Sequence, residues 1–436
     1  MVEPTLIVFF FIAFGVYATA YFRSAVLLFV FALPLYVVRF SLGPFPSTIV
    51  EGMIVILAAT WIIEMSRSKR WGEYRESLTR GVARKVALAC MGLFFAAGTV
   101  SVFVSPAPLS ALGLWRAYFV EPILLFFIMI DFLRAPSTRR AVITSAVASA
   151  VSIACVAIVQ RITGVGIPIE WAAETRVTSI YPYPNAVGLY VAPLIPLAVA
   201  LFLSAQSRVW RVAYGAAVSA LIAAIFFAQT EAALGALFIS LFLFALFWRA
   251  RSRLAALSVA ALVIVGLVAS PAALSFFTQK VFLKDWSGKV RRGIWIETRA
   301  MLKDHWVFGA GLAGYKEIFP YYHTRDYIEV FQYPHSIVLN FWTETGIAGT
   351  IGFAFLVGMF FFFSLAMLRR SRLLPRSDEA IAARAVSLAL ITSMTTILLH
   401  GLVDVPYFKN DLSMQFWLLN AIAWIGYGIP SDNAAA

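Results

Sequence analysis

Charged residues and cysteines are scarce in this chain of 436 residues. Only 13% of the residues are charged, whereas 61% are hydrophobic, and the mean hydropathy is +0.85. This composition excludes an ordinary soluble domain. The two cysteines, Cys90 and Cys155, lie within apolar segments, which excludes a disulfide framework and a cysteine-based metal site. The sequence therefore indicates an integral membrane protein.

Apolar segments of about 20 residues, long enough to cross a bilayer, recur from one end of the chain to the other. They predict an all-α bundle of 12 or 13 transmembrane helices, because the first two segments also fit one span plus a re-entrant piece. The N-terminus has no basic region and no small-residue cleavage site, so we expect a first membrane helix and not a removable signal peptide. The predicted segments are 5–22, 24–40, 46–65, 86–105, 109–132, 141–162, 186–205, 211–228, 231–248, 255–274, 347–368, 384–402 and 411–428.

The formal net charge of +13 does not predict binding to nucleic acid, because most of the cations lie in short loops between apolar segments. Cationic loops recur at every second connection, the distribution that marks the cytoplasmic side of a membrane protein. We therefore expect segments 163–185, 275–334 and 403–410 on the opposite side, with the C-terminus in the cytoplasm. The cationic segments are 67–85, 134–140, 208–211, 249–253 and 369–384.

The segment 275–334 divides the chain into parts. We predict a transmembrane unit over 1–274, a folded exoplasmic loop over 275–334, further spans over 335–428 and a disordered tail over 429–436. The loop is rich in aromatic residues, which favours a folded structure on the membrane surface. No inverted internal repeat of the kind found in many transporters is visible.

Within this loop, residues 289–303 have helical periodicity. Val290, Ile294, Met301 and Leu302 define the apolar side, and Arg292, Arg299 and Lys303 form a second stripe that we expect to be solvated. Arg291 instead aligns with Trp295, Thr298 and Leu302, which predicts a partly buried guanidinium. A buried guanidinium needs an anionic partner.

His335 lies where the long loop re-enters the membrane, and a neutral imidazole can accept a proton near pH 7. The alternative, a histidine that packs at a helix start, is equally compatible with the residues alone. The spacing predicts that His335 opens a helix with Leu339, Trp342 and Gly346 on its face. Gly346 and Gly349 would then permit close contact between helices.

Other polar residues in apolar surroundings have both a functional and a structural interpretation. Arg116 and Glu121 lie inside a predicted span, where charges are paired or functional; their spacing of five predicts separate partners. His400 and Asp404 are spaced to hydrogen-bond along a helix or to end one.

Gly309-x-Gly311-x-x-Gly314 matches a dinucleotide-binding pattern, but no strand precedes it, so we interpret it as a turn. The four histidines lack metal-ligand spacing, and we expect no metal site.

Several motifs together resemble the bacterial O-antigen ligase family. They are His335-Ser336 followed after nine residues by Gly346-x-x-Gly349, the pair Arg291-x-x-x-Trp295 with Gly309-x-Gly311, Arg176 with Tyr183-Pro184-Asn185, and His400-x-x-x-Asp404. They occur in family order from about residue 110 to 420. The chain departs from the family at Thr230-Glu231-Ala232, where many members have Ser-Arg, so no ligand is assigned there.

The resemblance implies a membrane-embedded glycosyltransferase that uses a lipid-linked donor. It would transfer O-antigen polysaccharide from undecaprenyl diphosphate to lipid A–core oligosaccharide, at the periplasmic face of the inner membrane of a Gram-negative bacterium, without a metal ion or other cofactor. His335 would be the general base, and Arg291 and Arg176 would hold the diphosphate. Further substrate contacts would come from Arg116, Asn185, His400, Asp404 and Trp295. Membrane lipids are expected partners, and nucleic acid is not.

Two other classes of function stay open at this point. An O-antigen polymerase or a protein O-oligosaccharyltransferase would use the same donor with a different acceptor. A transporter or flippase would also place charges inside the membrane, although the long folded loop and the lack of repeated broken helices argue against it.

Overall fold

The computed structural model describes residues 4–42, 45–375 and 377–428. The predicted disordered tail, 429–436, lies outside the described residues. About four-fifths of the described chain is helical, which confirms the predicted all-α membrane protein.

Twenty α-helices follow one another along the described chain. They are α1 (Pro4–Ala20), α2 (Phe22–Phe31), α3 (Ile49–Arg67), α4 (Trp71–Thr79), α5 (Val82–Val104), α6 (Pro108–Trp115), α7 (Glu121–Phe132), α8 (Pro136–Thr163), α9 (Ile169–Ala172), α10 (Asn185–Val191), α11 (Ile195–Leu203), α12 (Arg208–Phe227), α13 (Glu231–Trp248), α14 (Ala250–Ala269), α15 (Pro271–Val281), α16 (Trp286–Asp304), α17 (Tyr315–Ile318), α18 (Ile337–Ser371), α19 (Asp378–His400) and α20 (Asn410–Tyr427). A π-helical turn, Arg116–Val120, joins α6 to α7, and a 3₁₀ turn, Ala192–Leu194, joins α10 to α11.

Every predicted span overlaps a helix. Within the described residues, ten helical stretches are long and apolar enough to cross a membrane, fewer than the 12 or 13 predicted. The helices α1 and α2 are shorter than that limit. A third predicted span, which corresponds to α20, is also outside these ten stretches, because α20 is less apolar: it contains Asn410, Asp411, Gln415 and Asn420. Polar groups inside a bundle usually mark packing or function.

The predicted span 24–40 is wrong in length. Its helix, α2, has 10 residues, about 15 Å at 1.5 Å per residue, which is half of a hydrocarbon core. Pro34 lies in a 3₁₀ turn, Leu33–Val37, because proline cannot continue the α-helical hydrogen bonds. Two short antiparallel strands follow, β1 (Arg39–Leu42) and β2 (Phe45–Thr48), with Arg39 opposite Thr48. The all-α prediction missed this hairpin.

The core of the bundle is formed by four pairs of packed helices: α18 on α5, α19 on α11 and on α13, and α20 on α7. Almost the whole of α20 is buried, and aromatic rings such as Phe94, Phe341 and Trp417 pack where α5, α18 and α20 meet. In contrast, α14 is almost entirely exposed. Exposed apolar surface of this kind is suited to contact with lipid.

The predicted loop is folded, and the expected helix at 289–303 is α16. Its first turn is capped by Asp285, whose side chain accepts a hydrogen bond from the Gly288 amide at 3.0 Å. A separate small core packs against the start of α18; its members are Ile294, Met301, Leu302, Ala310, Tyr315, Phe319 and Ile328. This packing fixes α16 relative to α18, the two elements that flank His335.

Contrary to the prediction, Gly346 does not pack one helix on another, whereas Gly349 does lie close to α5, where an added Cβ would be 3.4 Å from the Ala97 side chain. It breaks α18 with φ +67° and ψ −174°, a conformation essentially confined to glycine. A Cβ atom at this position would lie 2.1 Å from the Val307 carbonyl oxygen. The Ile347 amide donates to that same oxygen at 3.1 Å. Gly346 therefore makes room for the loop backbone that follows α16.

Candidate active site

His335 lies at the end of the folded loop, two residues before the first residue of α18. It has φ +47°, and Ser336 is the N-cap residue, so the prediction that His335 opens the helix is wrong by two residues. A left-handed residue cannot be part of a right-handed helix. The next amide, Ile337 N, donates to the Gly401 carbonyl at 2.8 Å. This hydrogen bond holds the loop against the end of α19.

The imidazole of His335 is largely buried between two aromatic rings. Its ring centroid lies 5.0 Å from that of Phe331 and 4.7 Å from that of Tyr333. The Nδ1 atom is buried and has no hydrogen-bond partner among the described residues. A carboxylate oxygen, Asp404 Oδ1, lies 3.9 Å from this nitrogen. That distance is too long for a hydrogen bond but short enough for an electrostatic interaction when the imidazole is protonated.

Asp404 is fixed in the turn between α19 and α20. Its Oδ1 accepts a hydrogen bond from the Val405 amide at 2.8 Å, and the nearby Asn185 side chain favours the charged carboxylate. The sequence allowed His400 either to hydrogen-bond with Asp404 or to end a helix, and the structure shows the second: His400 is the last residue of α19. No hydrogen bond joins it to Asp404 in the described part of the chain. The histidine beside Asp404 is His335.

Arg291 supplies positive charge to the same place. It lies half-buried on α16, as predicted, whereas Arg292, Arg299 and Lys303 are exposed. Its guanidinium donates to Ser287 Oγ at 2.9 Å, and its charge acts on His335, His400 and Asp404. Among the described residues no carboxylate oxygen lies within 4.0 Å of it. The anionic partner that the sequence predicts for Arg291 is thus not found in the part of the chain that the structure describes.

Trp295, one turn along α16 from Arg291, holds the helix against the loop. Its indole Nε1 donates to the Pro334 carbonyl at 2.9 Å. Pro334 immediately precedes His335, so this bond fixes the arginine relative to the imidazole.

Burial, followed by the charge of Arg291, lowers the pKa of His335 to about 4. Both effects disfavour the imidazolium, so the ring is neutral at neutral pH. Burial also raises the pKa of Asp404 to about 6, against the opposing effects of the Val405 amide, Arg291 and Asn185. The pair therefore combines a free imidazole with a carboxylate that is close to its titration range.

Arg176 and Asn185 come from the segment before α10. The Arg176 Nη2 atom donates to Asn185 Oδ1 at 3.3 Å, and its Nε donates to the Ala228 carbonyl at 3.2 Å. The guanidinium also lies 5.0 Å from the Trp171 ring centroid. Through Asn185, Arg176 is connected to Asp404. The three segments predicted on one side of the membrane, around Arg176, His335 and Asp404, therefore meet at one end of the bundle.

Lys409 is a further cation at this end, and sequence reasoning missed it. Its Nζ atom lies 4.0 Å from the Tyr183 ring centroid and is buried without a hydrogen bond among the described residues. Burial lowers the pKa of Lys409 to about 8, and the nearby Asp411 opposes this shift. A signal was available: Lys409 lies in a segment, 403–410, on the side away from the cationic loops.

Arg116 is not brought into this cluster. Its Nε atom lies 3.2 Å from Glu121 Oε1, and its Nη2 contacts Glu51 Oε2. The prediction of separate partners is wrong because Arg116–Val120 is π-helical, and a π-helical turn aligns residues five apart. These ion pairs match the packing alternative, and a substrate-binding role for Arg116 stays a prediction.

Two other motifs have structural explanations. The Gly309–Gly314 segment is a turn, as predicted, in which the Ala310 amide donates to the Thr343 carbonyl of α18 at 2.6 Å. At the departure from the family pattern, Glu231 Oε2 accepts a hydrogen bond from Lys280 Nζ at 2.6 Å, which ties α13 to α15. Glu344, a buried acid that sequence reasoning overlooked, accepts from the Ala313 amide at 2.7 Å.

No group of three or more His, Cys, Asp and Glu side chains arranged to hold a metal ion occurs within the part of the chain that the structure describes. Metal independence stays a prediction.

Comparison with known proteins gives one family match. The model of the family described as O-antigen ligase matches residues 216–354, about a third of the chain. This range includes Arg291, Trp295 and His335, whereas Arg176, Asn185, His400 and Asp404 lie outside it. A search among curated proteins finds no match to this chain. The match supports a membrane glycosyltransferase of the O-antigen ligase or polymerase type. Residues 216–354 thus match the model of the O-antigen ligase family, which supports the resemblance predicted from the sequence motifs.

Proposed function

We propose that the protein transfers O-antigen polysaccharide from undecaprenyl diphosphate to lipid A–core oligosaccharide at the periplasmic face of the inner membrane. The observation that carries this proposal is the neutral, buried imidazole of His335 beside Asp404 and within the influence of the Arg291 guanidinium, which has no carboxylate partner among the described residues. A site with an unpaired cation and a free base is suited to an anionic leaving group and a hydroxyl nucleophile.

In this proposal, the diphosphate of the donor is the anionic partner of Arg291. Arg291, Arg176 and Lys409 approach one end of the bundle from α16, from the segment before α10 and from the segment before α20. Guanidinium groups bind phosphate oxygens in a bidentate manner, and the ammonium adds a compact point charge. Of these cations Arg176 alone has an acidic neighbour within ion-pair distance, Glu174 at 3.6 Å, and that carboxylate is exposed. The positive charges of these three residues therefore remain available to bind the diphosphate of the donor.

In the proposed reaction, the oxygen of an acceptor hydroxyl attacks the anomeric carbon of the donor sugar. The bond between that carbon and the phosphate oxygen breaks, and undecaprenyl diphosphate leaves with the electron pair. His335 accepts the hydroxyl proton, and Asp404 stabilises the imidazolium that forms. Arg291, Arg176 and Lys409 stabilise the charge that develops on the diphosphate. General-base catalysis of this kind typically contributes about 10²–10⁴-fold in rate.

A complementation assay in a strain that lacks the gene tests this proposal. His335→Ala and Arg291→Ala should abolish attachment of polymer to lipid A–core at unchanged protein level. Two matched variants, His305→Ala in the loop and Arg292→Ala on the exposed face of α16, should retain attachment. Full-length lipopolysaccharide in the His335→Ala strain would refute the role of His335.

The product that accumulates separates the related activities. Loss of a ligase leaves long polymer on undecaprenyl diphosphate, whereas loss of a polymerase leaves single repeat units. Transfer by the purified protein between defined lipids, with no ion gradient, would exclude a transporter.

A further inference from the structure

A second cluster of arginines lies at the end of the bundle opposite His335. Arg249 joins α13 to α14, and Arg253 lies in the first turn of α14; the α18–α19 connection and the first turns of α19 contribute Arg372 and Arg384. Because α19 runs for 23 residues between Asp378 and His400, about 35 Å separates this end from the candidate active site.

These arginines surround a cavity of about 540 Å³. Arg249, Arg372 and Arg384 line it together with Trp248, Ser371 and Ser377. Two of the arginines form cation–π contacts with the Trp248 ring. The ring centroid lies 5.2 Å from the Arg249 guanidinium carbon and 5.8 Å from that of Arg384. The arginines are thus arranged around a shared space.

Among the described residues, no carboxylate forms an ion pair with the arginines of this cluster. Arg249, Arg253 and Arg372 are close enough to Arg384 for their charges to repel it. None of the four forms an ion pair with a described residue, although Asp378 and Glu379 lie exposed in the first turn of α19. One guanidinium nitrogen, Arg384 Nε, is buried without a hydrogen-bond partner in the described chain. Although Arg384 Nη2 donates to the Phe247 carbonyl at 2.9 Å, Nε remains free to donate to an acceptor that enters the cavity.

The surface beside the cavity indicates where the acceptor comes from. The helix that begins directly after Arg249, α14, is almost wholly exposed, with apolar residues such as Leu254 (66%) and Leu262 (71%) facing outward. A phospholipid can place its acyl chains along such a helix while its headgroup enters an adjoining polar cavity. Arginines and an interfacial tryptophan are the residues expected for that arrangement.

We propose that this cavity binds a phosphate-bearing anion, the headgroup of an anionic phospholipid. The phosphate oxygens would accept hydrogen bonds from Arg384, Arg249 and Arg372, and the acyl chains would lie against α14. This site is independent of the transfer reaction and of its diphosphate.

Native mass spectrometry of the purified full-length chain in detergent tests the proposal with phosphatidylglycerol as the probe. We expect retention of phosphatidylglycerol by the wild type and at least about tenfold weaker apparent affinity in the double variant Arg249→Gln/Arg384→Gln. The charge-matched control Arg208→Gln/Arg251→Gln removes two exposed arginines that do not line the cavity, and its affinity should stay within about twofold of the wild type. Arg384→Lys, which keeps the charge and loses the planar fork, should give an intermediate affinity.

Two comparisons decide the source of the phosphate. Equal retention of phosphatidylcholine and phosphatidylglycerol, or equal loss of affinity in the target and control double variants, would overturn the site. Displacement of phosphatidylglycerol by an equal concentration of inorganic phosphate would assign the cavity to a soluble anion and overturn the assignment to lipid.

Discussion

The chemistry of His335 depends on neighbours from three separate parts of the chain. Phe331 and Tyr333 bury the ring, Arg291 approaches from α16, and Asp404 approaches from the α19–α20 turn. Burial disfavours the charged ring whatever its neighbours are, and the guanidinium adds to that effect. Without bound diphosphate, the residue is therefore held as the free base.

The pKa of His335 should respond to removal of the Arg291 charge. Because a nearby cation disfavours the imidazolium, Arg291→Gln should raise this pKa towards the ordinary value of about 6.5. The proton-accepting form would then be lost at a higher pH than in the wild type. NMR titration of histidine-labelled protein measures the shift, and Arg292→Gln, an exposed neighbour, is the control. An unchanged His335 titration in Arg291→Gln would contradict the geometry.

Lys409 should contribute to donor binding. Lys409→Met keeps most of the side-chain volume and removes the charge, so we expect about a tenfold higher KM for the undecaprenyl-diphosphate-linked donor. Lys316→Met removes an exposed loop lysine and should leave KM unchanged. Steady-state kinetics on the purified protein with a defined donor provides the measurement. Equal KM values for Lys409→Met and the wild type would exclude Lys409 from the diphosphate site.

At the scale of elements, the kink in α18 positions the loop that carries the site. Gly346→Ala should lower stability by about 2 kcal/mol or more, because alanine is strained at φ +67° and its Cβ would overlap the Val307 carbonyl oxygen. Gly358→Ala lies in the same helix with no atom within 4 Å of the added Cβ. It should be neutral or stabilising by up to about 1 kcal/mol. Thermal unfolding in detergent would measure both, and equal melting temperatures would argue against the kink.

The segment that leads from α17 to His335 is held by one acid on α16. Glu297 accepts hydrogen bonds from the Thr324 amide at 3.0 Å and from Arg325 Nη1 at 2.9 Å. Burial opposes its ionisation, but the hydrogen bonds from Thr324, His323 and Arg325 outweigh burial and lower its pKa. This stabilisation is present above the unfolded-state pKa of about 4.3 and is lost as the pH falls through the lower folded-state pKa.

Glu297→Gln should therefore loosen residues 323–325 at neutral pH. Hydrogen exchange should show a local opening free energy that is lower by about 1–3 kcal/mol. Glu317→Gln, at an exposed position in α17, should leave the exchange unchanged. Protection of 323–325 that is equal in both variants would show that Glu297 does not hold this segment.

Sequence periodicity located most elements, and it failed where local backbone geometry departs from the regular helix. The apolar stripe of α16 and the half-buried position of Arg291 followed from 3.6-residue spacing. That spacing did not predict three other features: the π-helical turn at Arg116–Val120, the break at Gly346 and the short α2. In each case a proline, a glycine or an extra residue per turn changes which side chains align.

At the scale of the whole molecule, the two ends of the bundle contain different kinds of positive charge. The end with His335 gathers Arg291, Arg176 and Lys409 from segments far apart in the chain, whereas the opposite end gathers the arginines of short loops. The positive-inside distribution predicted which segments share a side. It did not predict that Asp404 would lie beside His335 and not pair with His400, because that contact depends on how the loop packs against α19.

The central claim is that the imidazole of His335 and the guanidinium of Arg291 surround a diphosphate. A cryo-electron microscopy structure of the full-length protein with bound undecaprenyl diphosphate tests it most directly. We predict phosphate oxygens within hydrogen-bonding distance of Arg291 and Arg176, with the imidazole of His335 facing the sugar-bearing side of the diphosphate. A diphosphate bound away from both arginines, or separated from His335 by packed side chains, would contradict the account.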